Sequence, residues 1–308
     1  MHLGPSLIGI NVGGTTTSVV VGGRDATIRA RRSWPTRSER GPRHFVDTIV
    51  SAVGDLCDAP DAVGLSIGGP LNVRSGVLLD PPHLPGLAGF AVRDALAVRF
   101  AVPVVMHHDA AACALAEWRW GTDAGAGGIA YLTCGTGFGC GLVMDGRVRY
   151  GSDGRSPEIG HVRYRDDGPG IFGKPGCYEG YGSAKGLALL AQWRDPVHFT
   201  GAAPERIAAL AAAGDPVARE AMLMNERAVG SACAMLADLL ALDVIVLGSL
   251  ASYLGEPWIE AVRSAARREV LPLNKTGCTL RGPSIDAIQD RGALAAAVEA
   301  HDLAARQP

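Results

Sequence analysis

Two stretches of the chain follow one plan, and that repetition limits the fold more than any other feature. LIGINVGG (7–14) is an apolar run ending in two glycines, and TTTSVVVGG (15–23) continues as a β-branched, apolar run. GGIAYLTCG (127–135) and FGCGLVMDGRV (138–148) repeat the pattern, with a further turn at Asp145-Gly146. Such runs, broken by glycines, read as β-hairpins, the first turning at Gly13–Thr15. Mixed β and α follows each one. The chain is therefore read as an imperfect internal duplication, with a boundary near Trp120.

The first half adds a strand at ATIRARRSW (26–34) and a helix over 43–57, where Phe45, Val46, Ile49, Val50, Val53 and Leu56 have helical spacing. AVGLSIGG (62–69) is a buried strand stopped by Gly68-Gly69-Pro70. A helix is predicted over 90–100 and a strand over 102–108, and Asp109 opens the helix AAACALAEWRWG. In the second half, helices are predicted near 183–194, 204–213 and 215–240. A strand over 243–249 and helices over 253–268 and 290–305 complete it. The expected organisation is a small α/β lobe (1–119), a larger α/β lobe (120–290) and a terminal helix (291–308) packing back on the first. A cleft between the lobes would receive both glycine turns.

With 308 residues, 47% hydrophobic and 19% charged, the chain has the balance of a globular protein. A net charge of −2 gives no reason to expect nucleic acid as a partner. The basic run 29–32 reads as a solvated strand edge. No apolar run reaches the roughly 20 residues of a membrane span. The start, MHLGPSLIGI, lacks the pattern of a signal peptide. Cys113, Cys134, Cys140 and Cys233 lie in apolar surroundings, as small buried thiols do. A reduced, cytoplasmic protein is expected. The abundance of Ala, Gly and Arg is read as genomic base composition.

Glycine turns with hydroxyl residues can aim backbone N–H groups at phosphate oxygens without an obstructing side chain. One such turn is weak evidence, but two at matching places in similar halves are much stronger. GTGFGCG does not match the G-x-G-x-x-G dinucleotide fingerprint, and a strand rather than a helix follows it. No Walker A sequence is present. Asp109 admits two readings: a helix N-cap, or a carboxylate presented to a cleft as a general base.

INVGGTTTS, SIGGP, HHDAAACALAE, LTCGTGFGCGLVMDG and EIGH…GKPGCYEGY occur in the order seen in the ROK family (repressors, uncharacterised reading frames and sugar kinases). The chain resembles that family from about Leu7 to the final helix. The resemblance implies an actin-like (ribonuclease H-like) α/β ATPase fold of two duplicated lobes, binding ATP with Mg²⁺ and a hexose. It places the nucleotide at Asn11, Gly13, Gly14, Thr15, Gly135, Thr136 and Gly137, with Gly248 toward the adenine. Asp109 matches the family's base for the sugar 6-hydroxyl. Gly69, His83, His108, Glu158, His161 and Glu179 fall at sugar-contacting positions. A homodimer is expected. The implied activity is ATP-dependent phosphorylation of a hexose 6-hydroxyl, with a weakly catalytic sugar sensor as the alternative. A ROK repressor is disfavoured, because no helix-turn-helix precedes the first motif.

Three departures from the family pattern matter. Asn11 stands where the family usually has Asp, so a charge that would help hold hydrated Mg²⁺ is absent. Many members also bind a structural zinc through one His and three Cys. Here Gly170 and Phe172 occupy the first two Cys positions, leaving His161 and Cys177. Asp166 or Asp167 would have to be recruited to close a tetrahedral site, so a zinc-free loop is expected. Finally, His83 and His108 stand where glucose-type members have Asn. That change should reshape contacts on the sugar's polar edge. The resemblance extends to amino-sugar kinases, and Asp109, Glu158 and Glu179 could accept from a ligand ammonium. An amino-hexose such as kanosamine or glucosamine is therefore expected, with glucose otherwise.

Overall fold

The computed structural model describes residues 4–171, 173–274 and 277–306. The chain divides into two compact units: Met1–Gly125, Gly141–Ser156 and Ser284–Pro308 in the first, Ala126–Cys140 and Pro157–Pro283 in the second.

The first unit is built on a five-stranded sheet. Its strands are β1 (Leu7–Val12), β2 (Thr16–Gly22), β3 (Ile28–Pro35), β4 (Ala62–Ile67) and β7 (Val104–His108), in the order β3-β2-β1-β4-β7. Two-residue strands β5 (Leu71–Asn72) and β6 (Val77–Leu78) pair separately. β1 runs antiparallel to β2 and parallel to β4, and β4 runs parallel to β7. The two inner parallel strands are covered on both faces, which explains their almost unbroken apolar sequence. β3 lies at the edge, where exposed Arg29, Arg31 and Arg32 discourage pairing with another chain.

One face of this sheet carries Ile8, Ile10, Val12, Leu65, Ile67 and Met106, packed with Phe45, Val46, Ile49 and Val53 of α1 (Gly41–Gly54) and Leu96 of α2 (Val92–Phe100). The other face is covered by α10 (Ile288–Ala304), which also packs on α3 (Asp109–Trp120). The approach is close. A Cβ placed on Gly64 would lie 2.1 Å from the Ala297 nitrogen, and one on Gly9 would lie 2.7 Å from that of Leu294. These glycines and the facing alanines 293, 296 and 297 are thus packing requirements, correcting the reading of such residues as base composition alone.

The second sheet comprises β8 (Gly128–Cys134), β9 (Phe138–Met144), β10 (Arg147–Arg149), β13 (Val244–Leu247) and β14 (Thr279–Arg281), in the order β10-β9-β8-β13-β14. The strand order repeats that of the first sheet: β10 runs antiparallel to β9, and β8, β13 and β14 run parallel. The division between units falls inside β9. A small hairpin of β11 (Gly170–Ile171) and β12 (Lys174–Pro175) precedes α4 (Tyr178–Gly182). The helices α5 (Ala184–Arg194), α6 (Pro196–Phe199), α7 (Pro204–Ala212), α8 (Pro216–Leu240) and α9 (Leu250–Glu269) follow, with a break in α9 at Gly255 (φ 68°). Cys113, Cys134, Cys140 and Cys233 are buried thiols, as expected. Among the described residues, no helix is long and apolar enough to cross a membrane.

Candidate active site

In the first unit, register sets the positions of the candidate residues. Val12 pairs with Ile67, and Ile67 with His108, so β1, β4 and β7 end at one level. The segments leaving these ends are Gly13–Thr15, Gly68–Pro70 and Asp109. Ligands of open α/β sheets bind beyond the carboxyl ends of parallel strands.

The Gly13–Thr15 turn is closed by Gly13 N–H donating to the Thr16 carbonyl (3.0 Å). Thr36, absent from the sequence reading, braces it: its hydroxyl donates to the Gly13 carbonyl (2.7 Å) and its N–H to that of Thr15 (3.0 Å). Exposed His83 lies against Gly14, where an added Cβ would come within 2.9 Å of the His83 Cβ. Asn11 lies in a row with Ser18, Ser66 and His107 across four strands.

Asp109 is the first residue of α3, and 40% of its side chain is exposed. Its Oδ1 accepts the Ala110 N–H at 2.6 Å and lies 3.0 Å from His108 Nδ1. The Ala110 N–H is also 3.3 Å from that nitrogen. The shorter contact identifies the carboxylate as principal acceptor, leaving Nδ1–H of His108 to donate to Asp109. The imidazole is thereby fixed at one nitrogen. Its other edge passes Gly69, where an added Cβ would be 3.0 Å from Cδ2 and 3.3 Å from Nε2. Gly69 thus leaves room for the His108 ring, and the Gly69–Pro70 peptide is cis. Close by, a Cβ on Gly141 would lie 2.2 Å from the Ala110 backbone. This last glycine of the second motif admits the first turn of α3.

In the second unit, Gly135, exposed Thr136 and Gly137 join β8 to β9. Gly139 N–H donates to the Thr133 hydroxyl (3.0 Å), Phe138 N–H to Glu179 Oε2 (3.0 Å) and Ala184 N–H to the Gly135 carbonyl (2.8 Å). Glu179 therefore braces the turn. Gly248 follows β13, and Ser249 Oγ lies 3.1 Å from where a Gly135 Cβ would be. Only glycine fits at 248, since an added Cβ would come within 2.5 Å of the Tyr131 hydroxyl.

Glu158 is exposed and precedes the turn Ile159–His161. His161 is half-buried, and its carbonyl accepts from Lys174 Nζ. From His161 to Tyr178 the chain is closed by its own backbone. Tyr164 and Arg165 N–H groups donate to the Gly176 carbonyl (2.8 and 2.9 Å), and Tyr178 N–H donates to that of Val162 (3.0 Å). Tyr164 stacks on Tyr178 with centroids 5.1 Å apart and meets Tyr181 edge-on at 5.3 Å. Gly176 requires its left-handed backbone (φ 72°), and an added Cβ would overlap the Arg165 carbonyl. The donor set does not fit a structural zinc: of the four family positions only His161 and Cys177 retain ligands. No group of three or more His, Cys, Asp or Glu among the described residues is placed to hold a metal. Phe172 lies outside the described residues.

A cavity of about 450 Å³ in the second unit is lined by Cys233, Arg263, Arg267, Cys278, Leu280 and Arg281, among others. None of the candidate residues lines it.

The architecture has close solved counterparts. The ROK hexokinase of Thermus thermophilus is 30% identical, with TM-score 0.83, matching 96% of this chain and 99% of that one. A ROK family glucokinase from Streptomyces griseus, solved with glucose and AMPPNP, is 26% identical, with TM-score 0.78 over 96% and 98%. An N-acetylmannosamine kinase of Escherichia coli is 29% identical over 267 residues, 85% of this chain and 88% of that one. The fold is the actin-like ATPase fold of these sugar kinases. The chain belongs to the ROK family, whose profile matches residues 7–302.

Proposed function

We propose that this protein transfers the γ-phosphoryl group of ATP to the 6-hydroxyl of a hexose. The observation that carries the reading is Asp109: a half-exposed carboxylate at the carboxyl end of β7, level with the Gly13 turn and held at one oxygen by the Ala110 N–H. Such a group can accept the hydroxyl proton as the phosphoryl group is transferred. Family membership and the sugar kinases among the relatives support the same chemistry.

The two glycine turns would present backbone N–H groups to the nucleotide phosphates, and Mg²⁺ would neutralise their charge. A magnesium ion arriving with its nucleotide would keep much of its water and ask few protein ligands. Asn11 would offer an amide oxygen or a water-mediated contact.

Gly69, His83, His108, Glu158, His161 and Glu179 form the proposed sugar-contacting set. His108 is committed at Nδ1 to Asp109, so Nε2 is its sugar-facing nitrogen. An amide in its place would offer an acceptor and donors together, whereas Nε2 offers a single group. A site built for one hydroxyl pattern rejects another, because buried polar groups are left unpaired. We therefore assign an amino-hexose, such as glucosamine or kanosamine, as a better substrate than glucose. A coupled kinase screen with ATP over hexoses and amino-hexoses tests this. The amino sugar should have the higher kcat/KM, and the preference should shrink in His108→Asn. Glucose as the best substrate, with the ranking untouched in His108→Asn, would refute the specificity assignment.

The neutral Asn11 favours a second reading, a sugar-binding protein with little turnover. Sugar-dependent ADP release measured over a range of Mg²⁺ separates the two.

A further inference from the structure

Behind Asp109 lies a chain of polar side chains that the reaction does not directly use. His107, the residue before His108, is buried on the face of β7 opposite the apolar core. Its Nε2 is 2.7 Å from Glu299 Oε2 on α10, and its Nδ1 is 2.8 Å from the Tyr150 hydroxyl. The His107 and Tyr150 rings are nearly parallel, at 10°. The Tyr150 oxygen also accepts the backbone N–H of His108, at 3.3 Å.

The donors and acceptors close in one arrangement. The Glu299 carboxylate can only accept, so Nε2 is the protonated nitrogen of the neutral ring and Nδ1 accepts the Tyr150 hydroxyl proton. Burial pushes the Tyr150 hydroxyl up, so it stays protonated. For Glu299, burial acts upward, but the His107 hydrogen bond and nearby positive charge, that of Arg119 included, hold the carboxyl below its ordinary range. Both ends of the chain thus keep fixed roles. The fixed backbone group matters because β7 is an edge strand. Its outward N–H groups have no neighbouring strand, and His108 is the last residue before Asp109.

We propose that Glu299, His107 and Tyr150 are positioning residues, a hydrogen-bonded chain that fixes the His108 backbone and so sets the aim of Asp109. The proposal rests on the reading of Asp109 as the base. It accounts for a buried His on a strand whose neighbours on that face are Val105 and the small Ser66. It also makes α10 part of the active-site scaffold.

The test uses the full chain and a double-mutant cycle. Tyr150→Phe and Glu299→Ala should each lower kcat about tenfold, the scale of one lost buried hydrogen bond. KM for ATP should stay within about twofold, because the phosphate turn is untouched. Glu299→Gln, whose amide oxygen can still accept from Nε2, should recover most of the loss. In an Asp109→Asn background, Tyr150→Phe should cost nothing further, because its effect passes through Asp109. Loss of Tm without loss of kcat, or an equal loss of kcat in both backgrounds, overturns the proposal. A readout independent of turnover is the NMR titration midpoint of the Asp109 carboxyl, assigned by its absence in Asp109→Asn. It should move in Tyr150→Phe, and an unmoved midpoint also overturns the proposal. A wild type that phosphorylates no hexose would instead refute the functional reading, while the NMR result would still decide the positioning role.

Discussion

The two glycine turns occupy equivalent places in two equivalent sheets, yet they are held by different chemistry. The Gly13–Thr15 turn is braced by neutral groups: the Thr36 hydroxyl, the Thr36 N–H and its own backbone. The turn at 135–137 is braced by Glu179, through the Phe138 N–H, and by backbone bonds. On the proposed role of this turn, a carboxylate beside it opposes the phosphate charge, so its presence calls for a compensating use. Glu179 fits one, since it also stands at a proposed sugar-contacting position. In the first unit the candidate carboxylate is instead Asp109, which follows β7, two strands from the β1 end that carries the first turn. The two turns thus share a place in matching sheets and differ in what braces them.

The division of labour can be broken most severely at Asp109. Asp109→Asn should keep Tm and the circular dichroism spectrum but lose at least about 100-fold in kcat, the scale of a missing general base. Turnover within a few-fold of wild type would return Asp109 to the role of helix cap. The next effect contrasts the braces. Glu179→Ala should lower kcat/KM about ten- to 100-fold, as loss of a charge-assisted hydrogen bond does. Glu179→Gln keeps an acceptor for Phe138, so it should be milder if bracing dominates and equally severe if the sugar contact does. Thr36→Val in the other turn should cost only about 1 kcal/mol of stability, with KM for ATP up by no more than about fivefold. The smallest effect is expected from chelation. Purified, untagged protein should carry less than about 0.1 zinc per chain and show no change in Tm with EDTA. Zinc near one per chain would mean that loop 161–178 finds ligands beyond His161 and Cys177.

The sequence was most informative where short-range chemistry decides structure. β1, β2, β8 and β9 are apolar runs broken by glycine, and α8 is a long periodic segment with Asp215 as its N-cap. Both features can be seen without a partner. β14 was not seen, because Thr279–Arg281 has no apolar run and becomes a strand only by pairing with β13. The small hairpins at 71–78 and 170–175 were hidden for the same reason. At the candidate site, the glycines and Asp109 could be named from local motifs. Thr36, Tyr150 and Glu299 could not, because each acts across a long sequence separation, 192 residues between His107 and Glu299. The His107 signal was present as a second imidazole in HHD, but nothing local says which of the two faces α10.

The placement of α10 has a consequence for how the protein is made. The first sheet is finished in sequence at His108, but the helix that covers its second face begins at Ile288, about 180 residues later. At roughly 5–20 residues per second, the ribosome takes about ten to forty seconds to cross that interval. Throughout it, Gly9, Gly64, Ser18 and His107 lack the backbone and the carboxylates, Asp290 and Glu299, that they meet in the finished fold. That face of the first sheet therefore lacks its cover while the second unit is being synthesised. The strand that leads into Asp109 acquires this support only once α10 has been synthesised.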